Sequence, residues 1–374
     1  MIKILKLTGY VILSIIILIV IIASLFINLS PQFGKSATEE QKLSYESSGH
    51  FEDDVFVNNR RVSFDFEILP LLKEQFKDAP GRTPGKEIKV EKIDSLNVVN
   101  YHVDSTRITW FGHSAFLLEI DGKKILLDPM LSDVPAPHPW FGPSRYSSAL
   151  PLEINKIPQV DAVIISHDHY DHLDYETIQK LKDKTERFYT SLGVGNHLVS
   201  WGVEAEKIHE LNWWDSTTFD GIKLISTPAR HFSGRGLFDR QSTLWCSWVI
   251  QGSRDNLYFS GDGGYDRHFK EIGDKYGPFD IAMMECGQYN EWWKDIHMMP
   301  EETVQASLDL QAKVLLPIHW GAFTLALHDW TDPIERVTKA AYDKNQLITT
   351  PKIGEPVSVG SSLFPQTPWW KAYE

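Results

Sequence analysis

The chain has 374 residues, an apolar fraction of 42% and a formal net charge of −13. That length suits one large domain or two modest ones, and the composition is globular. An acidic balance with no Lys/Arg run excludes a general nucleic-acid binder, and two cysteines, Cys246 and Cys286, exclude a disulfide framework. With no Cys-x-x-Cys spacing, they are expected as buried free thiols.

Residues 7–34 carry no charge. Their apolar core, 10–29, is about 20 residues long, enough at ~1.5 Å per residue to cross the hydrocarbon of a bilayer. Lys3 and Lys6 precede it, and Glu39 and Glu40 follow soon after Lys35. The positive-inside rule then leaves the N-terminus in the cytoplasm and the rest outside. No small-residue cleavage site stands near 24–30, so an uncleaved anchor over 7–30 is expected rather than a signal peptide. Residues 31–50 are polar and aperiodic, and predict a flexible stalk. Residues 51–105 mix aromatic and charged side chains around Pro80-Gly81 and Pro84-Gly85, and predict an extension packed on the main domain.

The main domain is expected over 106–360. Strands are predicted at 107–111, 115–120 and 124–127, with a hairpin turn at Asp121-Gly122. The Pro/Ser-rich loop 132–151 holds His138, Trp140 and Arg145, and a loop of that length with aromatic content predicts a cleft wall. The β-branched run 162–165 predicts a buried strand. Beyond it lie a helix at 174–183 and strands at 188–190, 208–211, 221–226, 244–251, 256–259 and 281–284. A helix at 300–310, with Pro300, Glu301 and Glu302 in its first turn, precedes a strand at 313–316. A helix at 331–343 and a last strand at 355–359 follow, and 361–374 are left as a C-terminal tail.

Directly after the run 162–165 comes Ser166-His167-Asp168-His169-Tyr170-Asp171-His172. Imidazole nitrogens and carboxylate oxygens packed this closely suit a borderline cation such as zinc. His167 and His169 can converge on one ion, while Asp171 and His172 point to a second. Four separate predicted strands each end within a few residues of a candidate ligand: His167, His231, Asp262 and His319. If those ends share one edge of the fold, the four meet in a cleft.

The pattern His-x-His-x-Asp-His, a lone His, a Gly-Asp and a final His resembles the dinuclear hydrolases of the metallo-β-lactamase superfamily. Trp110-Phe111-Gly112-His113, Leu127-Asp128-Pro129, Leu211-Asn212-Trp213-Trp214, Gly277-Pro278-Phe279-Asp280, His297 with Pro300-Glu301-Glu302, and Ile318-His319-Trp320-Gly321 are similar to the N-acylphosphatidylethanolamine-hydrolysing phospholipase D family. The likeness covers roughly 50–345; the N-terminal transmembrane segment departs from that family's soluble or peripheral members. The resemblance implies an αββα sandwich, α/β in class, and two zinc ions. His167, His169 and His231 would hold one and Asp171, His172 and His319 the other, with Asp262 bridging. Three imidazoles make a neutral set with a position open to water, and two carboxylates offset part of the cations' charge.

The expected activity is hydrolysis of a membrane phospholipid at phosphorus by a hydroxide shared between the metals. Asp171 is expected to orient the nucleophile besides ligating, and His297 to give a proton or meet the substrate phosphate. Arg235, Gln288 and Tyr289 are candidates for headgroup contacts, and His113 and Asp128 for hydrogen bonds to ligating imidazoles. Trp140, Trp213, Trp214 and Trp292 are candidates for an acyl-chain wall, with core packing the stronger reading for Trp213 and Trp214. A lactonase or carboxylesterase on the same metal pair is the alternative, because attack on carbon uses the same nucleophile. A tethered, non-catalytic metal sensor is the reading from outside the enzymes. A redox di-iron protein is disfavoured, since His169 stands where that branch would carry a carboxylate.

Overall fold

The computed structural model describes residues 2–63, 71, 73, 74, 77, 79–99 and 105–374. Helix α1 (Ile2–Leu29) is long and apolar enough to cross a membrane, and its apolar stretch is unburied by the rest of the chain. The segment expected as a stalk lies against the domain. Pro31–Phe33 forms a 3-10 turn, and helix α2 (Glu39–Tyr45) begins at a Thr38–Gln41 capping box. Lys35 N donates to His197 Nδ1 at 2.9 Å, and Trp201 Nε1 donates to Pro31 O at 2.6 Å. Gln41 Nε2 donates to Asn196 Oδ1 at 2.6 Å, and Tyr45 is buried in the core. Polar composition suggested a tether; buried Tyr45 and these long-range bonds fasten the segment down. The hairpin β1 (Phe51–Glu52) and β2 (Val55–Phe56) follows, with Phe56 fully buried. Of the expected extension beyond it, residues 64–70, 72, 75, 76, 78 and 100–104 lie outside the described residues.

The main domain opens with β3 (Arg107–Trp110), β4 (Phe116–Ile120), β5 (Lys123–Leu127), β6 (Val160–Ile164), β7 (Thr185–Ser191) and β8 (Ile208–Leu211). It continues with β9 (Ser216–Phe219), β10 (Ile222–Thr227), β11 (Ser247–Gln251), β12 (Asn256–Phe259), β13 (Phe279–Glu285), β14 (Ala312–Ile318) and β15 (Pro356–Ser358). Seven strands form one sheet in the order β15-β3-β4-β5-β6-β7-β8, and six form the other, β14-β13-β12-β11-β10-β9. The predicted turn Asp121-Gly122 has both residues at positive φ, 49° and 77°, the conformation a two-residue hairpin with right-twisted arms requires.

Strand alternation divides the burial. Phe116, Leu118 and Ile120 of β4 face the space between the sheets, while Leu117 joins an outer cluster with Ile178 and Leu181 of the helix Tyr175–Leu181. Phe116 meets Phe259 of the opposite sheet with ring centroids 6.3 Å apart. The helices His268–Tyr276, Pro300–Asp309 and Asp332–Asp343 cover the other outer face. These are the four layers of an αββα sandwich. Cys246 and Cys286 are buried free thiols, as expected.

The expected C-terminal tail also packs. Trp369 and Trp370 are buried, and both rings lie against Trp320, at 5.4 and 5.8 Å between centroids. Side chains of that size leave water once a cavity of matching shape is offered.

Candidate metal centre

Strand direction gathers the candidates. In the six-stranded sheet β10 and β11 are antiparallel, as are β11 and β12, and β12, β13 and β14 are parallel. The C-terminal ends of β10, β12, β13 and β14 therefore share one edge, and they lead to His231, Asp262, Glu285 and His319. In the other sheet β5 and β6 are parallel and lead to Asp128 and His167.

His167 Nε2 and His231 Nε2 lie 3.0 and 3.2 Å from His169 Nδ1. Asp171, His172, His319 and His113 form a second group whose donor atoms lie within 4.8 Å of one another. Asp262 stands between the two groups. Its Oδ2 is 3.1 Å from His172 Nε2 and 3.9 Å from both His167 Nε2 and His231 Nε2, and its Oδ1 is 3.2 Å from His319 Nδ1. The seven predicted side chains thus share one centre.

Further side chains aim the ring nitrogens. Asp128 accepts from Ser166 N at 2.7 Å and lies 2.7 Å from His172 Nδ1, which turns His172 Nε2 inward. Ile296 O lies 2.9 Å from His231 Nδ1, and His113 Nε2 lies 2.8 Å from Asp171 Oδ2. The bonds to His172 and His231 leave Nε2 of each ring to face the centre; His113, expected to hold a ligating imidazole, holds the Asp171 carboxylate instead. His113 and His319, at φ 55° and 67°, are joined through the main chain, His319 N donating to His113 O at 3.0 Å. Left-handed backbone at two bulky residues is strain of the kind held at functional sites. Asp168, inside the motif, faces away from the centre and takes bonds from Gly234 N at 2.8 Å and Thr243 Oγ1 at 2.9 Å.

Burial pushes His167, His231 and His319 well below the usual imidazole range and His169 down to about 4, so all four are in the neutral, ligating form. His172 departs from them. Burial opposes its charge, but the Asp262, Asp171 and Asp128 carboxylates around it hold it well above the usual range. Burial lifts Asp262 to about 7. His172 Nε2 and Asp262 Oδ1 are buried with no hydrogen-bond partner among the described residues. Orphaned inward atoms, ring nitrogens 3.0 Å apart, and two carboxylates among the five imidazoles fit a pair of divalent cations.

The centre opens to a cleft of about 330 Å³, lined by His169, Asp171, Asp262, His297 and His319 on the floor and by Leu71, Phe232, Trp293, Ile296 and Leu325 on the wall. His297 lines this cleft. Its Nδ1 lies 2.8 Å from Glu285 Oε2, and Met298 N donates to Glu285 Oε1 at 2.6 Å. Burial raises Glu285 well above the usual carboxylate range and lowers His297. Glu285 escaped the sequence reading, although it closes β13 at the edge where the other ligands sit.

Most predicted wall residues lie elsewhere. Arg235 is 4% exposed, and its guanidinium donates to Gln32 O at 2.8 Å, Leu173 O at 2.8 Å and Asp168 O, while stacking on Tyr170. It braces the histidine loop from behind. Tyr289 is buried, with its hydroxyl on Asp332 and Arg336, and does not line the cleft. Gln288 does line it, but its amide holds Phe323 O and Leu325 N at 3.2 and 2.9 Å. In the turn Glu291–Trp293 it is Trp293, not Trp292, that faces the cleft. Trp213 is core and Trp214 packs against it, as expected. Trp140 is 86% exposed and outside the cleft, as is its loop.

Residues 123–320 match the family model described as a β-lactamase superfamily domain. The chain belongs to the metallo-β-lactamase superfamily. A superfamily relative from Mycobacterium tuberculosis, known only as an uncharacterized protein, is 44% identical over 87% of this chain and 88% of its own length. The N-acyl-phosphatidylethanolamine-hydrolyzing phospholipase D 1 of Caenorhabditis elegans is 31% identical over 70% of this chain and 79% of its own. Among solved structures, an isothiocyanate hydrolase from Delia radicum gut bacteria shares the fold, with a TM-score of 0.55 at 24% identity, covering 67% of this chain and 98% of that one. With hydrolases among the relatives it matches, the protein is a metal-dependent hydrolase of this superfamily.

Proposed function

We propose that this hydrolase is a di-zinc phosphodiesterase that cleaves a membrane phospholipid of the N-acylphosphatidylethanolamine type, as a phospholipase D. The observation that carries the reading is a seven-donor centre opening onto a wall of apolar side chains, Leu71, Phe232, Trp293, Ile296 and Leu325. A cleft with a charged floor and an oily wall suits a phosphodiester attached to acyl chains. Homology to a phospholipase D of that specificity supports the same substrate.

His167, His169 and His231 would hold one zinc, and Asp171, His172 and His319 the other, with Asp262 shared. Bound there, the pair supplies a lowered pKa for water and a positive field for the charge that develops on phosphoryl oxygen. The chain's own side chains do the rest. Asp171, fixed through His113, aligns the attacking water. His297 presents Nε2–H to the cleft and gives that proton to the departing oxygen, while the buried carboxyl of Glu285 passes its own proton to His297 Nδ1, so that the imidazole stays neutral and Glu285 is left as the carboxylate. The water oxygen bonds to phosphorus, the phosphorus–oxygen bond to the headgroup breaks, and phosphatidate and an N-acylethanolamine leave. Helix α1 would anchor the chain with Lys3 and Lys6 in the cytoplasm and the cleft on the opposite side.

The test is metal analysis of the full chain in detergent, with a panel of N-acylated and plain phosphatidylethanolamine, a phosphodiester chromophore and a lactone. Two zinc ions per chain and turnover of the N-acylated phospholipid are expected; turnover of the lactone alone overturns the assignment. A reporter fused after Glu374 that matures only in the cytoplasm reverses the topology.

A further inference from the structure

Four large apolar side chains stand in water at one end of the domain: Trp140 and Phe141, 86% and 66% exposed, and Leu237 and Phe238, 72% and 95% exposed. Isolated exposed apolar residues need no explanation, but paired ones on neighbouring loops do. Both loops flank the foot of α1. The rings of Phe141 and His138 meet Phe26 at 5.9 and 6.4 Å, and Phe33 meets Tyr170 at 6.5 Å. Tyr170 donates to Arg235 O at 2.6 Å, and Arg235 donates to Gln32 O at 2.8 Å. The loop that bears Leu237 and Phe238 is thereby tied to the segment in which the apolar helix ends. The surroundings of a span's end are the headgroup layer, where tryptophan and other rings gain from an apolar body in lipid and a polar rim in water.

We infer that the loops bearing Trp140-Phe141 and Leu237-Phe238 insert into the interfacial layer of the leaflet from which α1 emerges. This rests on the reading of α1 as a membrane span. The domain then rests on lipid at two points beside its anchor. The second point is connected to the cleft: from His231 the chain runs through Phe232, whose ring lies 4.5 Å from that of His169, and reaches Phe238 a short way beyond.

The full chain, reconstituted in phosphatidylcholine nanodiscs, provides the test. Single cysteines at Trp140→Cys, Phe238→Cys and, as a control on the helix Asp332–Asp343, Tyr342→Cys would carry an environment-sensitive fluorophore; Cys246 and Cys286 are buried and stay unlabelled. Lipids with a spin label near the headgroup are expected to quench the emission at 140 and 238 and to leave 342 bright. Labels at 140 and 238 as bright as the control overturn the inference and leave the anchor reading intact. A chain that does not enter the discs overturns both.

Discussion

The floor of the cleft and its wall are built by different means. Every floor residue except His297 lies in the stretch of chain that directly leaves a β-strand, and two sheets with parallel neighbours bring those strand ends to one edge. The wall comes from loops and from one residue of the N-terminal region, Leu71, whose positions no strand dictates. A floor made this way tolerates little movement, because its rings are held by further bonds on their far sides. A wall made of loops can change with the substrate while the chemistry stays fixed.

Substitutions can break or sharpen that contrast. The largest effect is expected on the floor itself: His231→Ala should bring metal content below two ions per chain and hydrolysis to background, and full metal with full turnover would defeat the assignment. His297→Asn should keep both metals yet slow turnover by about 100-fold, the usual loss for a proton donor; Glu285→Gln should fall the same way by less, measured as kcat with metal content alongside. One layer further out, His113→Ala should weaken metal affinity by about 10- to 100-fold in a chelator titration. On the wall, Trp293→Ala should raise KM for the phospholipid several-fold while Trp292→Ala changes it less than about twofold, since only one of the pair lines the cleft. The smallest effect on turnover per folded molecule is expected for Arg235→Met, although unfolding should show a loss of about 3 kcal/mol, because three carbonyls lose a buried charged donor.

The same contrast explains what the sequence made legible. A ligand at a strand end is signalled twice, by residue type and by the apolar run before it, so His167, His231, Asp262 and His319 could be found with no structure. Asp128 was legible for the same reason, whereas His113, expected to hold an imidazole, holds the Asp171 carboxylate. Wall residues carry only one signal. Arg235 lies close to His231 in sequence, yet it points behind the loop because carbonyls at 168 and 173 are there to receive it, and residue type alone does not reveal that. Trp292 and Trp293 differ only by the rotation of one residue in a 3-10 turn, about a third of a circle. The segment 31–50 reads as a tether because its partners, Asn196, His197 and Trp201, lie far along the chain. The tail at 361–374 hides its two core tryptophans in the same way.

The guanidinium of Arg235 holds Gln32 on one side and both ends of the histidine motif on the other. For a helix seated in a bilayer, that clamp sets the height and tilt of the cleft above the plane. Acting on the proposed phospholipid, an enzyme held in this way would search in two dimensions. Its rate should follow the mole fraction of substrate in the surface and fall when inert lipid dilutes it, even at constant bulk concentration.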